Sequence, residues 1–362
     1  MNYLLHFRSY YQRNSINVDL IHQREFGIGI DKKINYRHKA FSNQREFQNF
    51  LVSDTPRFIS HSVGKFEFPW SQPMEKKNLL GADLVFDLDA KPEEGDAHNA
   101  IFCQHCVETA RSDTIRLIEN YLLPIFGLSE KDLLIAFSGS KGFHVHVKCK
   151  AVQQLSSTSR RLLVDYITGK ELTVDSLVQR VKQRGSSGAL VNYLQGPGKN
   201  STGWQKHFRD AAISLLSNPA GVFQKRKAQY LQENLQNVIN LINNGNWAFF
   251  LGSDEVTEQL LQKVVREYGV QVDSPVTFDV HRLIRVPGTL HGDTGFIARP
   301  LSRSELGKFE ATKNAVAFSS RAYVELKQPA SVTFAGEDFS LPIGRQDVPL
   351  SLAVLLACRG MV

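Results

Sequence analysis

The sequence predicts an α/β fold with a mixed sheet, a helical insertion and a small metal-binding loop. Three observations support this prediction: β-rich runs before residue 90, a strand–turn–strand pattern near 133–149, and charge-rich helical patterns between 151 and 270. The 362 residues are 42% hydrophobic and 22% charged, which is typical of a globular protein. The formal net charge of +7 fits a partner that carries phosphate groups.

The N-terminal stretch MNYLLHFRSYYQR has no apolar run long enough for a signal peptide. No stretch approaches the about 20 apolar residues that a membrane-spanning helix needs. We therefore expect a soluble cytoplasmic protein that acts near the nucleoid and has no membrane partner.

The first element with chemical potential is ADLVFDLDA, residues 82–90. Alternation predicts a strand with Leu84, Phe86 and Leu88 on one face and Asp87 and Asp89 on the other. Two such carboxylates about 7 Å apart repel by about 2 kcal/mol at an effective dielectric constant of 20. The pair therefore indicates a cation site, and the alternative is an edge strand with a solvated acidic face.

A C-x-x-C pair, Cys103 and Cys106, precedes the predicted helix VETARSDTIRLIENYLLPIFGL. In a cytoplasmic chain with 4 Cys this spacing indicates metal or redox chemistry rather than a disulfide scaffold. The alternative is a reduced pair without a metal.

The stretch DLLIAFSGSKGFHVHVKC reads as two strands joined by a glycine-bearing turn. Gly139 and Gly142 let the backbone approach a phosphate, and Ser138, Lys141 and His144 offer hydrogen bonds and positive charge. Taken alone, such a turn is also typical of an ordinary hairpin.

After the helical patterns, PVTFDVHRLIRVPGTLHGDTGF returns to a β pattern that places Asp279 on a strand. His281, Arg282, Arg285 and His291 follow within a dozen residues. The alternative is a core strand with solvated arginines, and His281 fits a structural role as well as a functional one. Carboxylates for cations beside bases for phosphate are the composition that phosphoryl transfer to or from a polyanion requires.

DLVFDLDA, SGSKGFHVHV and VTFDVHRLIRVPGTLHGDTG, in this order, resemble the three active-site motifs of the small catalytic subunit of archaeal and eukaryotic DNA primases. The archaeal form is the more similar. QREFGIGI resembles the REF segment of that family, C-x-x-C falls where the family carries a zinc knob, and VPLSLAVLLACRG resembles the archaeal C-terminus. The resemblance covers the whole chain.

The resemblance implies the primase catalytic fold, one half of which is related to RNA-recognition-motif sheets. The catalytic core would comprise 1–150 and 256–362, with a zinc knob at about 96–106 and a helical subdomain at 151–255. The implied activity is template-directed synthesis of short primers from nucleoside triphosphates on single-stranded DNA by two-metal nucleotidyl transfer.

By the same resemblance, two Mg²⁺ or Mn²⁺ ions are held by Asp87, Asp89 and Asp279. The implied nucleotide-binding residues are Ser138, Lys141, His144, Arg285, His291 and, on a shorter motif, Arg24. Zinc is assigned to Cys103 and Cys106 with Asp96, His98 or His105 completing the set, and the fourth ligand stays open.

The family also implies a large subunit with an iron–sulfur cluster as a heterodimeric partner. No such cluster is expected in this chain, because its cysteines are too few and wrongly spaced. Two alternatives remain: a repair or plasmid polymerase of the same superfamily that extends primers, and a non-catalytic zinc-bearing module that binds nucleic acid. The choice between ribo- and deoxynucleotides stays open.

Overall fold

The computed structural model describes residues 2–30, 33–90, 101–184, 190–219 and 221–362. The chain divides into two compact units. The first comprises Met1–Ile115, Ser129–Val164 and Gln271–Val362, and the second comprises Arg116–Leu128 and Asp165–Val270. The predicted helical subdomain, 151–255, falls partly in each unit. No helix in the described ranges is long and apolar enough to cross a bilayer.

The described strands are β1 (Phe26–Gly29), β2 (Tyr36–Lys39), β3 (Phe58–Ser62), β4 (Gly64–Phe66), β5 (Leu79–Ala82), β6 (Leu84–Asp89), β7 (Leu133–Phe137), β8 (Gly142–Val147), β9 (Gln179–Arg184), β10 (Leu190–Gln195), β11 (Leu283–Arg285), β12 (Pro300–Leu301), β13 (Arg321–Leu326), β14 (Ala330–Phe334), β15 (Glu337–Leu341) and β16 (Gly344–Pro349).

The described α-helices are α1 (Tyr3–Arg13), α2 (Gln44–Asp54), α3 (Gln104–Leu117), α4 (Lys150–Gln153), α5 (Ser157–Thr168), α6 (Val174–Leu177), α7 (Gly203–Ser217), α8 (Lys225–Asn243), α9 (Asp254–Tyr268), α10 (Ser274–Phe278), α11 (Arg303–Leu306), α12 (Ala311–Asn314) and α13 (Leu350–Cys358). A π-helical turn, Ile118–Leu122, continues α3.

The first unit contains two four-stranded sheets, with strand orders β12-β7-β8-β6 and β11-β3-β1-β2. The described elements include both helices and strands, which confirms the α/β class. Every strand pair in the described ranges is antiparallel, so the predicted mixed sheet is wrong. A buried apolar cluster contains residues from or next to both sheets: Val63, Val85, Val276 and Ile284.

The sheet β12-β7-β8-β6 has an apolar face and a polar face. Asp87 pairs directly with His144, and Val85 with His146. Directly paired residues project to the same side, so the two histidines share a face with the acid pair. On the other side Phe137 and Phe143 lie with their ring centroids 5.0 and 5.6 Å from that of Phe309. This apolar contact fixes the sheet and leaves its polar face available for chemistry.

A buried ion cluster connects the start of β6 to the end of β3. Arg24 Nη2 lies 2.6 Å from Asp83 Oδ2, and Arg24 Nη1 donates to the carbonyl oxygens of Ser62 and Val63 at 3.0 and 2.9 Å. Lys65 Nζ lies 3.1 Å from Asp83 Oδ1. The cluster therefore sets where β6 begins relative to β3.

The second unit is built from helices and a β-hairpin that the sequence does not predict. β9 pairs with β10 from Gln179 to Arg184. Trp247 stacks on Phe208 with a centroid distance of 5.3 Å, and its Nε1 donates to the carbonyl oxygen of Pro197 at 3.0 Å. Aromatic packing thus holds the core of this unit together.

Several local predictions are confirmed. ADLVFDLDA contains β6, SGSKGFHVHV joins β7 to β8, and the apolar C-terminal stretch forms α13, which is buried along almost its whole length. The strand predicted at PVTFD is wrong. Pro275 lies in the first turn of the short helix α10, where its missing N–H costs nothing, and Asp279 follows the helix.

We expect Asp83→Asn to lower the free energy of unfolding by about 3 to 5 kcal/mol at pH 7, because it leaves buried Arg24 and Lys65 without a counter-charge. Desolvation raises the pKa of Asp83, but the positive charges of Arg24 and Lys65 outweigh it and hold that pKa below its usual value. The stabilisation is therefore present above the unfolded-state pKa and is lost as the pH falls through the lower, folded-state value.

Denaturant unfolding at pH 7 and in acid measures this difference. Asp347→Asn is the matched control, because it removes the exposed ion pair with Arg321 and is expected to cost less than about 1 kcal/mol. Equal costs for the two substitutions would contradict a structural role for the cluster.

Candidate active site

The acid pair lies at the end of β6. Asp87 is half-buried and Asp89 is exposed. His144 Nε2 lies 3.5 Å from Asp87 Oδ1, and Asp89 is paired with Gly142. A Cβ at position 142 would lie 2.0 Å from Asp89 Oδ1, so the glycine makes room for the carboxylate. The cross-strand register thus determines what faces each acid.

The surroundings of both acids oppose their negative charge. Desolvation and the charge of Asp273 raise the pKa of Asp87 to about 7. The surrounding protein displaces part of the water around Asp89, and this desolvation raises the pKa of Asp89. The charge of Asp87 raises it further. Asp87 Oδ1 is buried and has no hydrogen-bond partner in the described part of the chain. An unpaired buried oxygen with a raised pKa fits a ligand for a divalent cation.

The third acid of this cluster is Asp273. Its backbone N–H donates to the carbonyl oxygen of Asp87 at 2.8 Å, and its charge raises the pKa of both Asp87 and Asp89. Asp279 is not among the charges that shift these two pKa values. Its Oδ1 instead accepts a hydrogen bond from the backbone N–H of His281 at 2.9 Å.

Sequence reasoning missed Asp273, although a signal was present. The order Asp-Ser-Pro is typical of a helix start, with the acid at the N-cap and proline in the first turn. Reading α10 as a helix places Asp273 at its start and Asp279 at its end, on different sides of the element.

The turn between β7 and β8 is organised by Ser138. Its Oγ accepts hydrogen bonds from the backbone N–H groups of Ser140 at 3.4 Å and Gly142 at 3.2 Å. Gly139 has φ +86°, a conformation that favours glycine, and its carbonyl oxygen accepts from Thr294 Oγ1 at 2.5 Å. The turn is therefore fixed against the loop that contains His291.

Half-buried Arg285 and buried His291 add bases near His144. Burial lowers the pKa of Arg285 to about 10, and Arg285 Nη1 has no hydrogen-bond partner within the described ranges. Burial, and then the charge of Arg285, lower the pKa of His291. Burial lowers the pKa of His144 to about 4, with Asp89 opposing and Arg285 adding to the shift. A guanidinium with an unused buried nitrogen can bind an anion.

Two exposed cations, Lys141 and Arg282, lie close enough to the acids to affect them. Both lower the pKa of Asp87, and Lys141 also lowers that of Asp89. The arrangement therefore has carboxylates for cations and, on both sides, positive groups for an anion such as a polyphosphate.

Arg24 differs from Lys141 and Arg282, because its guanidinium is engaged in several hydrogen bonds. Its side chain is buried, and its guanidinium donates to Asp83, to the carbonyl oxygens of Ser62 and Val63, and to that of Asp19. These contacts fit a structural role, and the nucleotide-binding role of Arg24 stays a prediction.

The predicted zinc loop is described only in part. Cys106 Sγ lies 2.8 Å from Cys103 Sγ, and burial followed by its contact with Cys103 raises the pKa of Cys106 to about 11. His105 is exposed, while Asp96 and His98 lie outside the described residues. Among the residues that the structure describes, no group of three or more potential ligands is placed to hold a metal. Zinc binding stays a prediction.

The chain resembles known proteins over most of its length. The sequence model of the DNA primase small subunit family matches residues 86–303. The DNA primase small subunit PriS of Methanothrix thermoacetophila is 33% identical, over 98% of this chain and 96% of that protein. The protein of the same name from Picrophilus torridus is 31% identical over 98% and 95%.

Among solved structures, the chain is similar to the polymerase domain of Mycobacterium tuberculosis ligase D in complex with DNA. The TM-score is 0.37 with 13% sequence identity, covering 84% of this chain and 82% of that one.

We expect the affinity for Mn²⁺ to rise as the pH increases through about 7, because Asp87 must lose its proton before it can bind a cation. Asp87→Asn is expected to weaken Mn²⁺ binding by about tenfold or more and to flatten this pH dependence. Titration calorimetry between pH 6 and 8 measures both effects. Asp175→Asn removes an exposed carboxylate from the start of α6 and serves as the control. Unchanged Mn²⁺ binding by Asp87→Asn would contradict the cation site.

Proposed function

We propose a detailed function for this chain from one premise: the chain belongs to the family of DNA primase small subunits. It is therefore an enzyme, a nucleotidyltransferase that makes primers for DNA replication. The matched region, 86–303, contains the acid pair, the β7–β8 turn and the loop after β11. What remains to be assigned is the role of each residue.

Asp87 and Asp89, together with a third acid, would hold two divalent ions, Mg²⁺ or Mn²⁺. The support is that Asp87 Oδ1 accepts no hydrogen bond among the described residues, and that the charge of Asp273 contributes to the raised pKa of both Asp87 and Asp89. Bound divalent cations stabilise the charge on the attacking 3′-hydroxyl and on the departing pyrophosphate. The family resemblance implies Asp279 for the third position. We propose Asp273 as a second candidate for it, because the charge of Asp273 raises the pKa of both partner acids, whereas Asp279 Oδ1 accepts a hydrogen bond from the His281 N–H.

The β7–β8 turn and the bases of the loop after β11 would bind the triphosphate of the incoming nucleotide. Ser138 Oγ fixes the shape of the turn by accepting from the N–H groups of Ser140 and Gly142, and Lys141 adds a positive charge beside the acids. Arg285 would use its unpaired Nη1 for a phosphate oxygen. His144 and His291, whose pKa values are lowered, would donate hydrogen bonds as neutral rings.

The observation that carries this proposal is that His144 lies near both the acids and the guanidinium of Arg285, whose buried Nη1 has no hydrogen-bond partner among the described residues. Acids alone would fit a solvated edge, and bases alone would fit a general anion site. Together, and without a nucleophilic side chain that must form a covalent intermediate, they fit direct in-line transfer.

Further assignments rest on the family. We propose that the sheet β12-β7-β8-β6 belongs to the half related to RNA-recognition-motif folds, and that residues 1–150 and 256–362 form the catalytic core with 151–255 as a helical subdomain. A zinc knob at about 96–106, a single-stranded DNA template and a large subunit as partner complete the proposal. The protein would act in the cytoplasm at the nucleoid.

Primer synthesis on unprimed single-stranded DNA with labelled nucleoside triphosphates tests the proposed function. Products from an unprimed template are expected. Extension of supplied primers alone would favour the alternative of a repair or plasmid polymerase, and the absence of any metal-dependent synthesis would favour a non-catalytic binding module.

Asp273→Asn is expected to lower the rate of primer synthesis by about 10²-fold or more, because it removes a charge that would hold the cations. Asp279→Asn keeps an oxygen that can accept from the His281 N–H, so we expect it to keep most of the parental rate. The two substitutions are matched in chemistry, and the two acids flank the same short helix, α10. A large loss in Asp279→Asn with a normal rate in Asp273→Asn would reverse the assignment.

Lys141→Ala is expected to raise KM for the nucleoside triphosphate by about tenfold, because a charge near the phosphates is removed. Lys131→Ala removes an exposed charge from the turn before β7 and is the control. Steady-state kinetics on a saturating template measures KM, and an unchanged KM in Lys141→Ala would exclude Lys141 from the phosphate site.

A further inference from the structure

A cavity of 580 Å³ lies in the first unit, away from the three acids, none of which is among the described residues that line it. Its lining comes from the segment between α1 and β1, from β7 and β8, and from the loop after β11. Small-molecule sites in proteins commonly have volumes of about 300 to 1,000 Å³. The cavity therefore has room for a ligand of nucleotide size.

Buried polar groups form the floor of this cavity. His146 is 1% exposed, and its Nε2 has no hydrogen-bond partner in the described part of the chain. Asp83 also lines the cavity, but its carboxylate is already paired with Arg24 and Lys65. Because buried polar atoms seldom remain unpaired, the floor has unused hydrogen-bonding capacity.

His61 adds an acceptor to the floor. Its Nδ1 lies 2.9 Å from the carbonyl oxygen of Ser62, which can only accept, so the ring proton is on Nδ1. Burial lowers the pKa of His61 to about 3, and the ring is neutral. Nε2 is then a lone-pair acceptor on a residue that lines the cavity. With the unpartnered Nε2 of His146, it favours a ligand that presents N–H donors.

The walls and the rim have a different character. Ile16, Val18 and Leu134 supply apolar surface, which suits the flat face of a heterocycle. Lys148 is half-buried, lines the cavity and has no carboxylate within 4.0 Å among the described residues. Arg24 also lines the cavity, but its guanidinium already donates to Asp83 and to backbone carbonyl oxygens, so Lys148 is the cation that would attract an anionic group.

We propose that this cavity is a second nucleotide site, which holds a nucleoside monophosphate with its base at the floor and its phosphate at Lys148. Guanine fits the floor well because its ring N–H and amino group are adjacent donors. This site is additional to the proposed active site, although His146 and Lys148 follow His144 on the same face of β8 and its continuation.

Binding of GMP to the full chain in buffer with EDTA tests the proposal. The parent for all variants carries Lys141→Ala, which weakens phosphate binding at the active site. Lys148→Met is expected to lower the GMP affinity by about tenfold or more, because it removes the charge opposite the phosphate. Lys150→Met removes an exposed lysine two positions later and is expected to leave the affinity unchanged.

A second pair of variants tests the cavity itself. Leu134→Phe adds volume to the cavity wall, and we expect it to block GMP. Leu133→Phe places the same added volume on the opposite face of β7, because Leu133 pairs with Val147 and Leu134 with His146. We expect Leu133→Phe to bind GMP like its parent.

Three outcomes would overturn the proposal. The first is that GMP does not bind at millimolar concentration. The second is that Lys141→Ala alone abolishes GMP binding while the cavity variants have no effect. The third is that inorganic phosphate competes as strongly as GMP does. A 5′-phosphorylated oligonucleotide that begins with guanosine and competes with GMP would support the site and identify a strand end as its source of ligand. Failure of that oligonucleotide to compete would support a free nucleotide. Because these measurements need neither metal nor synthesis, they are independent of the proposed catalytic assignments.

Discussion

The position of the active-site acids depends on the buried ion pair between Arg24 and Asp83. Asp83 immediately precedes β6, and Arg24 joins it to the backbone at the end of β3. Arg160, also fully buried, donates to the carbonyl oxygens of Asp83 and Ala82 at 2.8 Å each. Because the residue before β6 is held by several hydrogen bonds, the strand cannot easily shift along its neighbours. The positions of Asp87 and Asp89 are therefore fixed.

The active site itself is an arrangement of charges that is incomplete in the protein alone. The raised pKa values of Asp87 and Asp89 indicate that the protein does not neutralise these carboxylates, even though Lys141 and Arg282 lie nearby. The lowered pKa of Arg285 indicates the same lack of compensation for a cation. Bound divalent cations and a polyphosphate would each supply the charge that one part of the site lacks. In the proposed function, the cost of holding like charges together would be relieved when substrate and metal bind.

The local sequence pattern was sufficient to predict the acid pair, the β7–β8 turn and α13. These features depend on alternation, glycine positions and apolar runs, which extend over only a few residues. It was not sufficient to choose between Asp273 and Asp279. The two acids are six residues apart in one motif, and only the helical conformation of the residues between them separates their positions. The partner of Arg24 lies 59 residues away, so its structural role depends on tertiary packing. The cavity floor likewise brings together side chains from β3, from β8 and from the residue before β6.

The pairing of Asp89 with Gly142 has a consequence for recognising such sites elsewhere. A side chain at position 142 would collide both with the carboxylate, at 2.0 Å, and with the carbonyl oxygen of Leu88, at 2.4 Å. The acids and the residues opposite them thus form a two-strand signature: D-x-D on one strand read against G-x-H on its antiparallel neighbour. Either half is common by chance, whereas the joint occurrence at the correct register is far rarer. A search of genomes for both halves together would select strands whose acids have an open approach and would discard ordinary acidic edges.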